Sequence, residues 1–268
     1  MQHTKHNLCL IGQLFIIKNY HSINQNENRK NIQNCNRIAF FIVSAGFISK
    51  EIRDQEASKV LNNYVAAIGG KKAVDNIKNM VSKSQMEFVG GDFVLDREIV
   101  ETRFDQRYIK ANSQRTGEII RTFDGTNCRE KRMGEVRDVT GIEKQSFLNA
   151  SAFLRYAEWE KNLSEYKYEG VQNIEGVKMH KIVVTTVYGL KESWYFDTKS
   201  NLLTQIEEEL EIRGGKATAT TVYSDYREVN GVKLSFLQTI NMPGQTRKIT
   251  FSEILANQEI DTAMFKLD

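Results

Sequence analysis

Few residues in this chain have the chemistry of a nucleophile, base or metal ligand. Beyond residue 49 there is one histidine, His180, and one cysteine, Cys128. A single imidazole cannot build a zinc site, and neither HExxH nor CxxC occurs. Cys128 would need a base to act as a nucleophile, and His180 is the only imidazole the body can offer it. His180 itself falls in the polar-apolar alternation after Val177, which reads as an ordinary strand histidine. A nucleophile elbow, a phosphate-binding loop and a dinucleotide fingerprint are all absent, so Gly69-Gly70, Gly90-Gly91 and Gly214-Gly215 read as turns or caps. The expectation is a protein without catalytic residues, metal or cofactor.

Charged clusters carry no clearer chemistry. Alternation sends Glu207, Glu209 and Glu211 to one face and Leu202, Ile206, Leu210 and Ile212 to the other, so one face of this sheet is wet. Glu208 turns inward, where it either pairs with a base such as Arg97 or Arg103 or meets a ligand. Arg129, Lys131, Arg132 and Arg137 form a basic cluster that is either a solvated loop or a docking patch. The formal net charge of +3 arises in the first 49 residues, which hold five Lys or Arg and one acid. From Lys50 onward 32 basic residues face 33 acidic ones. A body so balanced implies no field for nucleic acid.

What remains is apolar and aromatic. Phe88, Phe93, Phe147, Phe153, Tyr156, Trp159, Trp194 and Phe236 are either plain core or the lining of an apolar cavity. The elements that must position them follow from periodicity. Ala57, Val60, Leu61, Tyr64, Val65 and Ile68 recur at helical spacing, a continuous apolar stripe from Asp54 to Ile68, and Gly69 supplies the stop. Ala73, Val74 and Ile77 predict a second, shorter helical turn. After Met80 the period changes to two, and the turn signals Gly90-Gly91-Asp92, Asp124-Gly125, Asn230-Gly231 and Pro243-Gly244 separate about ten or eleven antiparallel strands. One or two short helices interrupt them between Thr140 and Lys161. Such a strand number exceeds the usual ~4–6 of one sheet, so the sheet is expected to curl into an incomplete barrel of α+β, mainly antiparallel β, class. Helices are too few to cover the concave face, which leaves room for a cavity or a partner. Leu61, Tyr64, Ile68, Phe88, Phe93, Phe153, Trp159, Trp194 and Phe236 are the candidate lining residues.

Arg37 precedes twelve mostly apolar residues, 38–49, before charge resumes at Lys50-Glu51. A basic flank and an apolar run too short to span a membrane form a signal-peptide pattern. Residues 1–49 are thus expected to be a leader and 50–268 a single exported domain, with the true translation start downstream of Met1. Neither Cys9 nor Cys35 follows a small-residue lipobox, so acylation of the protein itself is not expected.

The segment Leu61-x-x-Tyr64-Val-x-Ala-Ile-Gly-Gly-x-x-Ala-Val-x-x-Ile77 resembles the start of mature proteins in the periplasmic outer-membrane lipoprotein-sorting (LolA-like) superfamily, in its bacteroidete-type branch. Phe123-Asp-Gly-Thr126, Ser193-Trp-Tyr-Phe-Asp-Thr-Lys-Ser200 and the phrase from Tyr223 to Leu234 are similar to recurring hairpins of that branch. The resemblance implies a half-closed antiparallel barrel with helices on its concave side and an apolar cavity that takes acyl chains. Its functional positions have no counterpart that can be assigned here. The expected function is that of an exported, non-enzymatic carrier of acyl chains or another hydrophobic ligand, in lipoprotein sorting at the Gram-negative outer membrane. The expected partners are lipid or lipoprotein acyl chains, and an envelope protein, with no nucleic acid; the chain is expected to be monomeric and periplasmic. The alternative is an envelope partner-binding or sensory domain that uses the same fold without carrying lipid.

Overall fold

Helix α1 occupies residues 55–67 and ends through Gly69 and Gly70, both at positive φ. The computed structural model describes residues 55–212 and 215–267, apart from the side chains of 211, 212 and 215. The expected leader with its apolar run, Cys9 and Cys35, and Gly214 of one expected turn lie outside the described residues.

All six residues of the α1 stripe are buried. They pack, with Val74 of helix α2 (Lys71–Asn76) and Ile77 just after it, on Ile182, Val184, Trp194, Phe196 and Leu203. A helix end approaches the sheet closely here: Lys233 N–H donates to Ile68 O at 2.7 Å.

Thirteen antiparallel strands follow: β1 (Asn79–Phe88), β2 (Val94–Thr102), β3 (Arg107–Ser113), β4 (Gly117–Phe123), β5 (Cys128–Arg132), β6 (Glu135–Asp138), β7 (Leu163–Ile174), β8 (Val177–Thr186), β9 (Lys191–Asp197), β10 (Leu203–Ile212), β11 (Gly215–Val229), β12 (Val232–Met242) and β13 (Gln245–Ala256). They form one sheet in the order β6-β5-β4-β3-β2-β1-β13-β12-β11-β10-β9-β8-β7. The sheet curls without closing, since β6 and β7 remain its edges. The expected mainly antiparallel α+β class and incomplete barrel are therefore observed, with thirteen strands in place of ten or eleven. Strand β6, exposed along its whole length, has no buried apolar row by which periodicity would reveal it.

Curvature is assisted by bulges, which bend the bulged strand and increase its twist. Lys83 pairs with Glu253 but Ser84 pairs with Phe251, so Ser252 is the extra residue and Ile254 returns to the inner face. A second bulge falls at Thr204, between Leu203↔Phe196 and Gln205↔Tyr195.

Helices α3 (Gly141–Ser151) and α4 (Trp159–Asn162) fill the interruption between β6 and β7. Phe147 of α3 joins Phe123, Cys128 and Val139 in a small second core. A 3-10 turn at Thr262–Phe265 closes the described chain, capped by Asp261.

Candidate functional site

A cavity of about 570 Å³ lies on the inner face of the sheet, within the ~300–1,000 Å³ usual for small-molecule sites. Its walls are alternate residues of adjacent strands. Ile99 of β2, Ile109 of β3, Ile206 of β10, Ile240 of β12, and Ile249 and Phe251 of β13 supply the apolar surface. Its cover is the C-terminal part of α3 with the segment 152–157, including Phe147, Leu154 and Tyr156.

Two polar groups at opposite walls hold that cover. On β3, Arg107 donates through Nη1 to Ala150 O at 3.3 Å, and the same nitrogen lies 3.4 Å from Glu101 Oε1. On β9, Glu192 accepts from Asn149 Nδ2 at 2.7 Å and from Trp194 Nε1 at 2.6 Å, and forms an ion pair with Arg155. The Arg155 guanidinium stacks over the Tyr156 ring at 4.7 Å. Tyr156 and Tyr223 join hydroxyl to hydroxyl at 2.6 Å across the cavity lining.

Burial shifts the ionisable groups of this wall. Glu101 is pushed above the ordinary carboxyl range by burial, against the attraction of Arg107 and Arg97. Burial, reinforced by the Arg107 charge and opposed by Glu101, lowers Arg97 to about 10. Glu208 lines the cavity as its inward parity required, and burial and Glu192 push its carboxyl up while Arg155 pulls it down. Among the described residues it has neither ion pair nor hydrogen bond, and Arg103 pairs instead with Glu158. The expected Glu208 pairing with Arg97 or Arg103 is thus replaced by a carboxyl facing the cavity, because Arg103 is taken up by the Val74 and Ile77 carbonyls and by Glu158.

The candidate lining residues separate into groups. Tyr64 and Ile68 line the cavity. Leu61, Phe153 and Trp194 are fully enclosed in the main core and do not reach it. Trp159 lines a separate cleft of about 380 Å³ with Asn62, Val65, Arg103 and Glu158. Phe88 and Phe93 meet in a tilted ring contact at 4.8 Å at the β1–β2 hairpin, under Arg247 and Arg115. Phe236 is buried beneath the Arg227 guanidinium. The isoleucines of β2, β3, β10, β12 and β13, and the inward arginines, belong to the wall, and their inward parity was their signal.

The remaining chemistry is quiet. Cys128 is buried and its thiol is pushed up by burial, opposite to the depression that activates a nucleophile. His180 shares a 2.8 Å hydrogen bond with the Tyr168 hydroxyl on the neighbouring strand. Among the described residues no group of three or more His, Cys, Asp or Glu is placed to hold a metal ion, and no helix is long and apolar enough to cross a membrane. The basic cluster is half consumed internally. Arg129 pairs with Asp138, and Arg137 pairs with Glu130 and Glu143, which also meet Arg121. Lys131 and Arg132 remain exposed.

This curled, unclosed sheet with helices on its inner face is a LolA-like fold. A DUF1329 family protein from Desulfovibrio piger superposes with a TM-score of 0.56 at 11% identity, over 78% of this chain and 97% of that one. A LolA superfamily protein from Nitrosomonas europaea gives 0.56 at 9% identity, over 79% and 97%. A putative outer membrane lipoprotein-sorting protein domain from Vibrio parahaemolyticus gives 0.55 at 8% identity, over 79% and 96%. No protein-family model and no curated protein matches the chain. Identities this low carry the fold and nothing finer.

Proposed function

We propose that this chain is an exported, non-enzymatic carrier that shields an acyl chain or similar hydrophobic ligand in the inner-face cavity. The observation that carries the reading is an apolar-walled cavity of about 570 Å³ on the concave side of a LolA-like sheet. Apolar burial alone is sufficient to retain such a ligand, at roughly 0.8 kcal/mol per methylene, and no cofactor is required. Residues 1–49 serve as the export signal and the body works in the periplasm of a Gram-negative envelope, with outer-membrane lipoproteins as the cargo class. The hairpin phrases at Phe123, Ser193 and Tyr223 support a place in the bacteroidete-type branch of the LolA-like superfamily. Tyr64 and Ile68 are the members of the original candidate set that would touch the ligand.

The full chain, expressed with export in a Gram-negative host, is to be purified and extracted for acyl species by mass spectrometry, then titrated with a series of saturated chains. Recovered acyl species and an affinity rising about fourfold per added methylene until the cavity is filled are the expected results. Repeated recovery of empty protein that binds no chain overturns the reading. A second reading, a domain that docks an envelope protein, draws on Lys131, Arg132 and the exposed Met133 at the β5–β6 hairpin. A pull-down lost on substituting Lys131 and Arg132, with cavity variants neutral, would favour it.

A further inference from the structure

The inner face of β3, β2, β1 and β13 is ordered in cross-strand rows. One row runs Ala111, Arg97, Ser84, Phe251. The next runs Ile109, Ile99, Ser82, Ile254, and the third Arg107, Glu101, Met80, Ala256. The third row is electrostatically closed by the Arg107–Glu101 ion pair. The first is not. Arg97 lines the cavity and, among the described residues, makes no hydrogen bond and no ion pair. Four residues of strand rise, about 13 Å, separate its backbone from that of Glu101.

Three further facts bear on this row. Ser84, which faces Arg97 across the strand pair, is 4% exposed and does not line the cavity, and among the described residues its Oγ has no partner. Ala111 on the other side is small and uncharged, so it offers the guanidinium no counter-charge. Burial disfavours the Arg97 charge most, Arg107 repels it, and Glu101 only partly offsets that repulsion. Held down to about 10, Arg97 is still a cation at neutral pH. An unpaired guanidinium in an apolar cavity is costly unless an anion completes it.

We propose that the ligand has an anionic head, a carboxylate or phosphate, seated on Arg97, with its chain along Ile99, Ile109, Ile249 and Phe251. This inference rests on the carrier reading above and names the chemical class of its ligand. The guanidinium fork suits both anions, and a charge-assisted hydrogen bond in an apolar site strengthens the preference for them.

The test presents radiolabelled palmitate, hexadecyl phosphate and hexadecanol to the full chain from phosphatidylcholine vesicles at neutral pH. Wild type is expected to bind at least one of the anions about tenfold or more above the alcohol. Arg97→Met should bring the anions down to the alcohol while the thermal midpoint of the ligand-free protein stays at or above that of wild type. Arg97→Lys, which keeps the charge, should retain part of the preference and serves if Arg97→Met folds poorly. Stronger binding of hexadecyl phosphate points to a phospholipid-type head, and stronger binding of palmitate to a free fatty acid. Equal binding of all three by wild type, or a preference that survives Arg97→Met, overturns the headgroup proposal and leaves the carrier reading standing. Failure to bind any of the three removes both.

Discussion

Asn149 donates through Nδ2 to Glu192 Oε1 at 2.7 Å and so ties the last turn of α3 to β9. Both side chains are buried, at 4% and 3% exposure. Glu192 also accepts from Trp194 and Arg155, which makes it the point where helix, sheet and the 152–157 cover meet. Asn149→Ala leaves a buried carboxylate short of one donor and is expected to cost about 1–3 kcal/mol. Glu192→Ala strands the Arg155 cation and should cost more, about 3–5 kcal/mol. Urea unfolding midpoints measure both, and limited proteolysis between residues 140 and 158 should quicken in each variant.

A backbone approach sets the position of α1. Gly69 has φ +130°, and a Cβ there would lie 1.9 Å from Gly231 O. Gly69→Ala is expected to exceed the ~1–3 kcal/mol of backbone strain alone, because the β11–β12 turn must also move. Gly70, at φ +84° with open space around it, is the control. Gly70→Ala should cost only the backbone strain of its positive-φ extended conformation, about 1–3 kcal/mol. Thermal midpoints that fail to rank the two variants in this order would contradict the close contact.

Core and cavity residues should separate in their effects. Leu61 is completely enclosed, so Leu61→Ala is expected to cost about 2–5 kcal/mol and to alter chain binding only through lost stability. Ala219 lines the cavity from β11, and Ala219→Phe places a ring in the space assigned to ligand. Its expected result is at least a tenfold loss of acyl-chain affinity at nearly unchanged stability. A binding titration and an unfolding curve on each variant provide the comparison.

Glu208 gives stability a pH dependence of known sign. Its folded-state carboxyl lies above the ordinary value of 4.5, so the native chain keeps a proton that the unfolded chain releases. Stability therefore falls as pH rises from that ordinary value through the raised one. Glu208→Gln should remove this fall, raising the thermal midpoint above the window and leaving it unchanged well below. Glu101, raised in the same direction, maintains a residual slope. A midpoint for Glu208→Gln that is lowered at neutral pH would mean that the charged carboxylate is stabilising.

Much of this molecule is legible in its sequence because local spacing reports which face a residue takes. The α1 stripe, the turns at Asp124 and Asn230, the two helices between β6 and β7, and the inward parity of Ile206, Glu208 and Leu210 all follow from that rule. Parity does not say what covers a face. Trp194 and Ile99 both point inward by alternation, yet Trp194 lies under α1 in the core while Ile99 faces the cavity. That division depends on where α1 is docked, and the docking is fixed by the Lys233–Ile68 hydrogen bond and the Gly69–Gly231 approach, both between segments far apart in the chain. The same holds for Arg97. Its charge and its face were determined by sequence alone, whereas its lack of a partner among the described residues was decided by the tertiary structure, which gave Glu101 to Arg107 and Glu158 to Arg103.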